Sequence, residues 1–211
     1  ETIYRHDNPY GTKVQTLLGR LPIQIDVLQN DDAETAQTHP VTLLITDRGI
    51  GIGREDLATM TRVGASYRET WKRSVYERMP VWMRPSGAFG IGLQSLFLVT
   101  DELSIQSQSF MSRELLRLRM TNPVGDERGS IYIQKAPNTH TYSESGTRVQ
   151  LHLKKNFIDA FQIRRAPFEH FDPITPREVD YFSGVLSHLP VPVLINGKVH
   201  GDSKLMSLQW H

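Results

Sequence analysis

Three short stretches of this chain carry residue types that could hold a charged, flat ligand. The most concentrated is Gly87-Ala88-Phe89-Gly90-Ile91-Gly92-Leu93, which runs into the apolar Leu96-Phe97-Leu98-Val99. Glycines at this spacing let the backbone turn sharply and lie close to a ligand, because no Cβ intervenes. The residues from Leu93 to Thr100 read as a helix. A helix start offers unpaired N–H groups and the positive end of its dipole, so a glycine loop opening a helix is a natural phosphate cradle. The second stretch is Asp47-Arg48-Gly49-Ile50-Gly51, a carboxylate followed by two glycines. Its carboxylate suits an amino group on a ligand, at about 1.5–3 kcal/mol for a hydrogen bond to a charged partner. An ordinary turn after a strand would use the same residues. The third is Gly146-Thr147, at the start of a late strand. Each is weak alone, and their order along the chain carries the weight.

The elements that must position these residues follow from the hydrophobic pattern. Residues 22–28 alternate apolar and polar as a half-buried strand does. Asn30 to Pro40 is polar and reads as a loop, and Val41 to Ile45 as a second strand, antiparallel to the first, leading into Asp47. Arg54 to Arg62 fits a short helix with Leu57 and Met60 inward. Residues 54–86 form a long connection in which Tyr67, Trp71, Tyr76 and Trp82 mingle with Arg68, Lys72, Arg73, Arg78 and Arg84. Strands are expected over 102–108, 115–120, 130–134 and 146–153. In the last, Val149, Leu151 and Leu153 share one face and His152 lies exposed on the other. Thr175-Pro176-Arg177-Glu178 is a helix start with an N-cap, a first-position proline and a reciprocal glutamate. Val191 to Ile195 is a final strand turning at Asn196-Gly197.

Composition narrows the classes. With 211 residues, 38% hydrophobic and 22% charged, the chain suits one globular domain. A net charge of +1 gives no reason to expect nucleic acid or a membrane surface as partner. The absence of cysteine removes disulfides, thiolate nucleophiles and cysteine-ligated zinc. No apolar run approaches the roughly 18 residues of a membrane span, and a cytoplasmic protein is the expectation. None of the eight histidines has a spacing that suggests a metal site or a phosphoacceptor.

The three signals, in this order, resemble the GHKL superfamily of ATP-binding domains, which includes gyrase, histidine kinases, MutL proteins and the ninety-kilodalton heat-shock chaperones. The stretch GAFGIGLQSLFLVTDELSI is most similar to the phosphate loop, helix and following strand of the chaperones, GTRVQLHLKKN to their late strand, and VGASYRE to the start of their lid. The resemblance implies an α+β fold, a two-layer α/β sandwich (the Bergerat fold) whose mixed, mostly antiparallel sheet carries helices on one face. It implies one domain over 1–211 with a lid over 54–86.

It also implies roles for individual residues. Asp47 would accept from the adenine amino group, and Gly49 and Gly51 would let the purine lie against the backbone. Gly87, Gly90 and Gly92 would wrap the phosphates with main-chain N–H groups, with Phe89 also among the nucleotide-binding residues and Leu93 starting the helix behind them. Thr147 would add a hydroxyl near adenine, often through water. Gly64, with Ser66, would mark the beginning of the lid. In the family, an upstream helix supplies a water-activating glutamate and, four residues on, a magnesium-binding asparagine. Asp26 to Ala33 imitates that pattern, but Asn30 stands too close to Asp47 to leave room for the intervening elements. The helix is therefore expected before Glu1, with no catalytic residue and no metal ligand in this chain, and the magnesium ligand outside it. The function implied is an adenine-nucleotide-driven conformational switch, with slow ATP hydrolysis in a longer protein and a protein client or self-association through further domains. A degenerate domain serving as an interaction or dimerisation module is an alternative, as is a histidine-kinase catalytic domain.

Overall fold

A computed structural model describes residues 21–60, 73–78, 92–122, 129–135, 145–156 and 192–200. In chain order the elements are β1 (Ile23–Gln29), α1 (Ala33–Thr38), β2 (Val41–Asp47), α2 (Arg54–Met60) and α3 (Arg73–Arg78). There follow α4 (Gly92–Ser95) with a 3-10 turn (Leu96–Leu98), β3 (Glu102–Gln108), β4 (Leu115–Thr121), β5 (Ser130–Lys135), β6 (Gly146–Leu153), β7 (Val193–Ile195) and β8 (Lys198–His200). All eight strands join one sheet in the order β5-β4-β3-β6-β2-β1-β7-β8. Every pairing is antiparallel except β1 with β7.

The register assembles the core from the alternation in each strand. One cross-strand row reads Ile25, Ile45, Val149, Ile105, Leu118 and Ile133. The next reads Val27, Leu43, Leu151, Leu103, Met120 and Ile131. Both rows lie on the same face. Leu57 and Met60 of α2, Leu93 of α4 and Leu96 and Phe97 of the 3-10 turn pack against this core. The architecture is thus an α+β sandwich with helical segments on the apolar face, as the resemblance implied. The opposite face is mostly polar, with a row of Gln24, Thr46, Arg148, Gln106, Arg117 and Gln134.

The C-terminal strand pair closes the sheet against β1. Val193 and Ile195 are fully buried. Asn196 adopts φ +46, as the turn after β7 requires, and its side-chain Oδ1 accepts from the Val27 N–H at 2.7 Å.

Several sequence expectations need correction. Residues 30–40 are not all loop. Asp32 accepts from the Thr35 N–H at 2.8 Å and caps a helix over Ala33–Thr38. The helix expected over 93–100 is shorter, a single α-turn tightening into the 3-10 turn, because Thr100 is already drawn to the strand by its bond to the Glu102 carbonyl. His152 does lie on the face opposite the core, but it is half-buried, with Nδ1 2.8 Å from the Thr42 hydroxyl. The imitation of the family's glutamate–asparagine pattern is settled by β1, since Asp26 sits in a strand and Asn30 closes the β1–β2 connection. The expected helix after Thr175 and the aromatic residues Tyr67, Trp71 and Trp82 lie outside the described residues.

Leu151 stands at the centre of the apolar face and is 2% exposed. Leu151→Ala should cost about 2–5 kcal/mol, since the surrounding strands cannot close the cavity. Denaturant unfolding at constant m would measure it, and a loss under about 1 kcal/mol would contradict this packing.

Candidate functional site at the end of strands two, three and six

At one end of the apolar face the pattern changes. The next cross-strand row holds Asp47, Thr147 and Ser107, where the alternation would otherwise place apolar residues. The three side chains share the face of the core and stand beside one another on β2, β6 and β3.

Asp47 ends β2, half-buried. Its Oδ1 accepts from the Gly49 N–H at 2.7 Å, and its carboxylate also accepts from the Thr147 N–H. Burial pushes the Asp47 carboxyl above its ordinary value of 3.8, and the two amides pull it back in part. The carboxylate retains lone pairs for a further donor.

Ser107, 1% exposed, is the junction of the site. Its Oγ accepts from the Ile52 N–H at 2.7 Å, donates to the Gly146 carbonyl at 3.0 Å and lies 2.9 Å from the Thr147 hydroxyl. It therefore ties the glycine turn after β2 to the start of β6. Sequence reading passed over Ser107. The available signal was a hydroxyl at 107 in a strand whose core-side positions otherwise read Leu103 and Ile105.

Two glycines are required by this geometry. Gly51 has φ +69, and a Cβ there would lie 2.0 Å from the Gln108 carbonyl oxygen, so the turn presses directly on β3. Gly146 has φ +149, and a Cβ there would lie 2.3 Å from the Asp47 carbonyl oxygen. Gly53 then leads into α2, where its N–H donates to the Asp56 carboxylate at 3.0 Å.

Of the residues singled out in sequence, Asp47, Gly49, Gly51 and Thr147 come together at this end. Gly92 and Leu93 open α4, and Leu93 packs on the same core. Gln94 ties α4 to α2 through the Met60 carbonyl at 3.3 Å. Gly64, Ser66, Gly87, Phe89 and Gly90 lie outside the described residues. A groove of about 320 Å³ opens at the same end. Most of its lining, including Gln24, Thr46, Gln106 and Arg148, alternates with Asp47 and Thr147 and belongs to the polar face. Asp47, Gly146 and Thr147 also line it, so the groove reaches the strand ends that carry this pair.

Among the described residues no group of three or more His, Asp or Glu side chains could hold a metal ion. None of their helices is long and apolar enough to cross a membrane.

Two tests follow from the geometry. The native Asp47 carboxyl binds its proton more tightly than the unfolded one, so its contribution to stability falls as pH rises from 3.8 through the raised value. The Tm of Asp47→Asn relative to the parent should therefore shift in favour of asparagine between acid and neutral pH, read by calorimetry of the free protein. A difference that is flat with pH would refute the buried carboxylate. Gly146→Ala should destabilise by about 1–3 kcal/mol or more through backbone strain and the clash with Asp47. A neutral effect in thermal unfolding would contradict the close approach of β6 and β2.

No family model matches the chain. Individual relatives do. It is 35% identical over 140 residues to the chaperone protein HtpG of Methylobacterium nodulans, covering 64% of this chain and 21% of that protein. It is 31% identical over 131 residues to HtpG of Methylorubrum extorquens, covering 58% and 20%. It is 30% identical over 127 residues to an endoplasmin homolog of Dictyostelium discoideum, covering 58% and 16%. The chain thus spans about a fifth of the length of the curated relatives it matches. Together with the mostly antiparallel sheet backed by helices on its apolar face, these likenesses support closeness to the ninety-kilodalton heat-shock chaperones, HtpG and endoplasmin among them.

Proposed function

We propose that this chain is an ATP-binding domain of the heat-shock-chaperone type within the GHKL superfamily, and that adenine nucleotide acts through it as a conformational switch in a longer cytoplasmic protein. One observation carries the reading. Asp47 and Thr147 stand side by side in a polar row at one end of a mostly apolar face, next to the turn formed by Gly49 and Gly51. Carboxylate and hydroxyl oxygens in that position suit the exocyclic amino group of a purine whose ring lies on the apolar surface beyond Ile45 and Val149. The likeness to HtpG and endoplasmin supports the same reading.

On this reading the phosphates meet the main chain of Gly87, Gly90 and Gly92, with Phe89 and Leu93 beside them and Gly64 at the start of a lid over 54–86. Closure of that lid would couple nucleotide to partner surfaces, whether a client or a second copy. Magnesium and the water-activating carboxylate are assigned to the upstream helix that the family resemblance implies. No hydrolytic step is therefore given to the described residues. Apolar side chains at the same end, Ile50, Phe110 and Met111, are exposed, and the Phe110 N–H bonds the Ile50 carbonyl at 2.8 Å. They favour a second reading, in which the domain keeps the fold as an interaction module only.

Calorimetric titration with ADP and with magnesium and ATP, alongside Asp47→Asn, separates the two. A nucleotide-binding domain gains about 2.7 kcal/mol of stability at a ligand concentration of 100 Kd. Asp47→Asn should bind about 10–100-fold more weakly, the equivalent of one hydrogen bond to a charged group. Equal affinity in both proteins removes Asp47 from the site. Absence of binding in the parent leaves the interaction module.

A further inference from the structure

We propose that Ser107 is a positioning residue that fixes which way the Thr147 hydroxyl points, and that it thereby sets the preference of the site for amino over oxo purines. The inference rests on the nucleotide reading and deepens it.

Proton counting carries it. Ser107 has one hydroxyl proton, and the Gly146 carbonyl, 3.0 Å away, can only accept. The Ile52 N–H occupies one Ser107 lone pair at 2.7 Å. The remaining contact, 2.9 Å to the Thr147 hydroxyl, is satisfied only if Thr147 donates. With its proton spent on Ser107, Thr147 offers lone pairs alone. Asp47, already taking two backbone N–H groups, also offers lone pairs alone. The row is then an acceptor-only surface. A 6-amino group meets two acceptors, whereas a 6-oxo group meets their repulsion. Loss of Ser107 would free the Thr147 hydroxyl to rotate and donate, which an oxo group can exploit. Burial keeps the arrangement intact, because Ser107 is 1% exposed and no solvent can substitute for its partners.

The test is the ratio of ADP to inosine diphosphate affinity, measured by calorimetry on the full chain, its Ser107→Ala, Ser107→Thr and Thr147→Val variants, and the Ala/Val double variant. The parent should prefer ADP. Ser107→Ala should reduce the ratio about fivefold, the equivalent of one neutral hydrogen bond. Ser107→Thr, which keeps the hydroxyl, should restore it. Thr147→Val should reduce the ratio similarly, and the double variant no further, since the two act as one unit. Amide exchange at Ile52 should quicken in Ser107→Ala and not in Thr147→Val. A Ser107→Ala protein that loses affinity for both nucleotides by one common factor would overturn the proposal in favour of a purely structural serine, as would additive effects. Should Ser107→Ala fail to fold, a Thr147→Val protein with an unchanged ratio overturns it equally. A parent that binds neither nucleotide overturns the nucleotide reading itself and this proposal with it. A parent that binds ADP while Ser107→Ala keeps the parental ratio overturns this proposal alone.

Discussion

The register among β2, β6 and β3 is the constraint on which the rest of this structure depends. Side chains alternate along a strand, so a slip of one residue would exchange the faces. Ile45, Val149 and Ile105 would turn to solvent, and Asp47, Thr147 and Ser107 would leave the site together. The apolar rows fix the register because they are long. Six strands contribute to each, and their burial penalises any displacement. The polar row rides on that specification without contributing much to it. Position is supplied by the hydrophobic part of the sheet, and chemistry is concentrated at one end.

That division accounts for the electrostatics of Asp47. A carboxylate at the margin of an apolar surface is partly desolvated, and the amides of Gly49 and Thr147 offset part of the cost in the free protein. Such a group is better served when a donor arrives from outside. The glycines around it have a related role. Gly146 and Gly51 let β6 and the β2 turn approach Asp47 and β3 more closely than side chains would permit. The proximity of three segments distant in sequence is therefore a matter of missing Cβ atoms as much as of added contacts.

Much of this was legible in the chain. Strong alternation in Ile23–Gln29, Glu102–Gln108 and Gly146–Leu153 gives strands with the observed faces, and Asn196-Gly197 gives the observed turn. Asp47 and Thr147 were visible because each stands within two residues of a glycine. What escaped did so for physical reasons. The helix over Ala33–Thr38 is too short to show a period and is held by the Asp32 cap, a local bond that polar composition conceals. The short α4 reads as a longer helix because apolar content cannot distinguish a helix from a turn packed on a core. Ser107 escaped because a serine in an alternating strand looks like an exposed position until the register assigns it to the buried face.

The pairing of β1 with β7 has a consequence for biosynthesis. Val27 and Asn196 are bonded across 169 residues of chain. At about 5–20 residues per second, a ribosome needs roughly 8–34 s between making one and making the other. Throughout that interval one border of β1 has β2 and the other has nothing, a bare rim of the kind that recruits stray strands. In a nascent chain with this topology that rim stays uncovered until β7 is made, a window in which stray pairing is favoured.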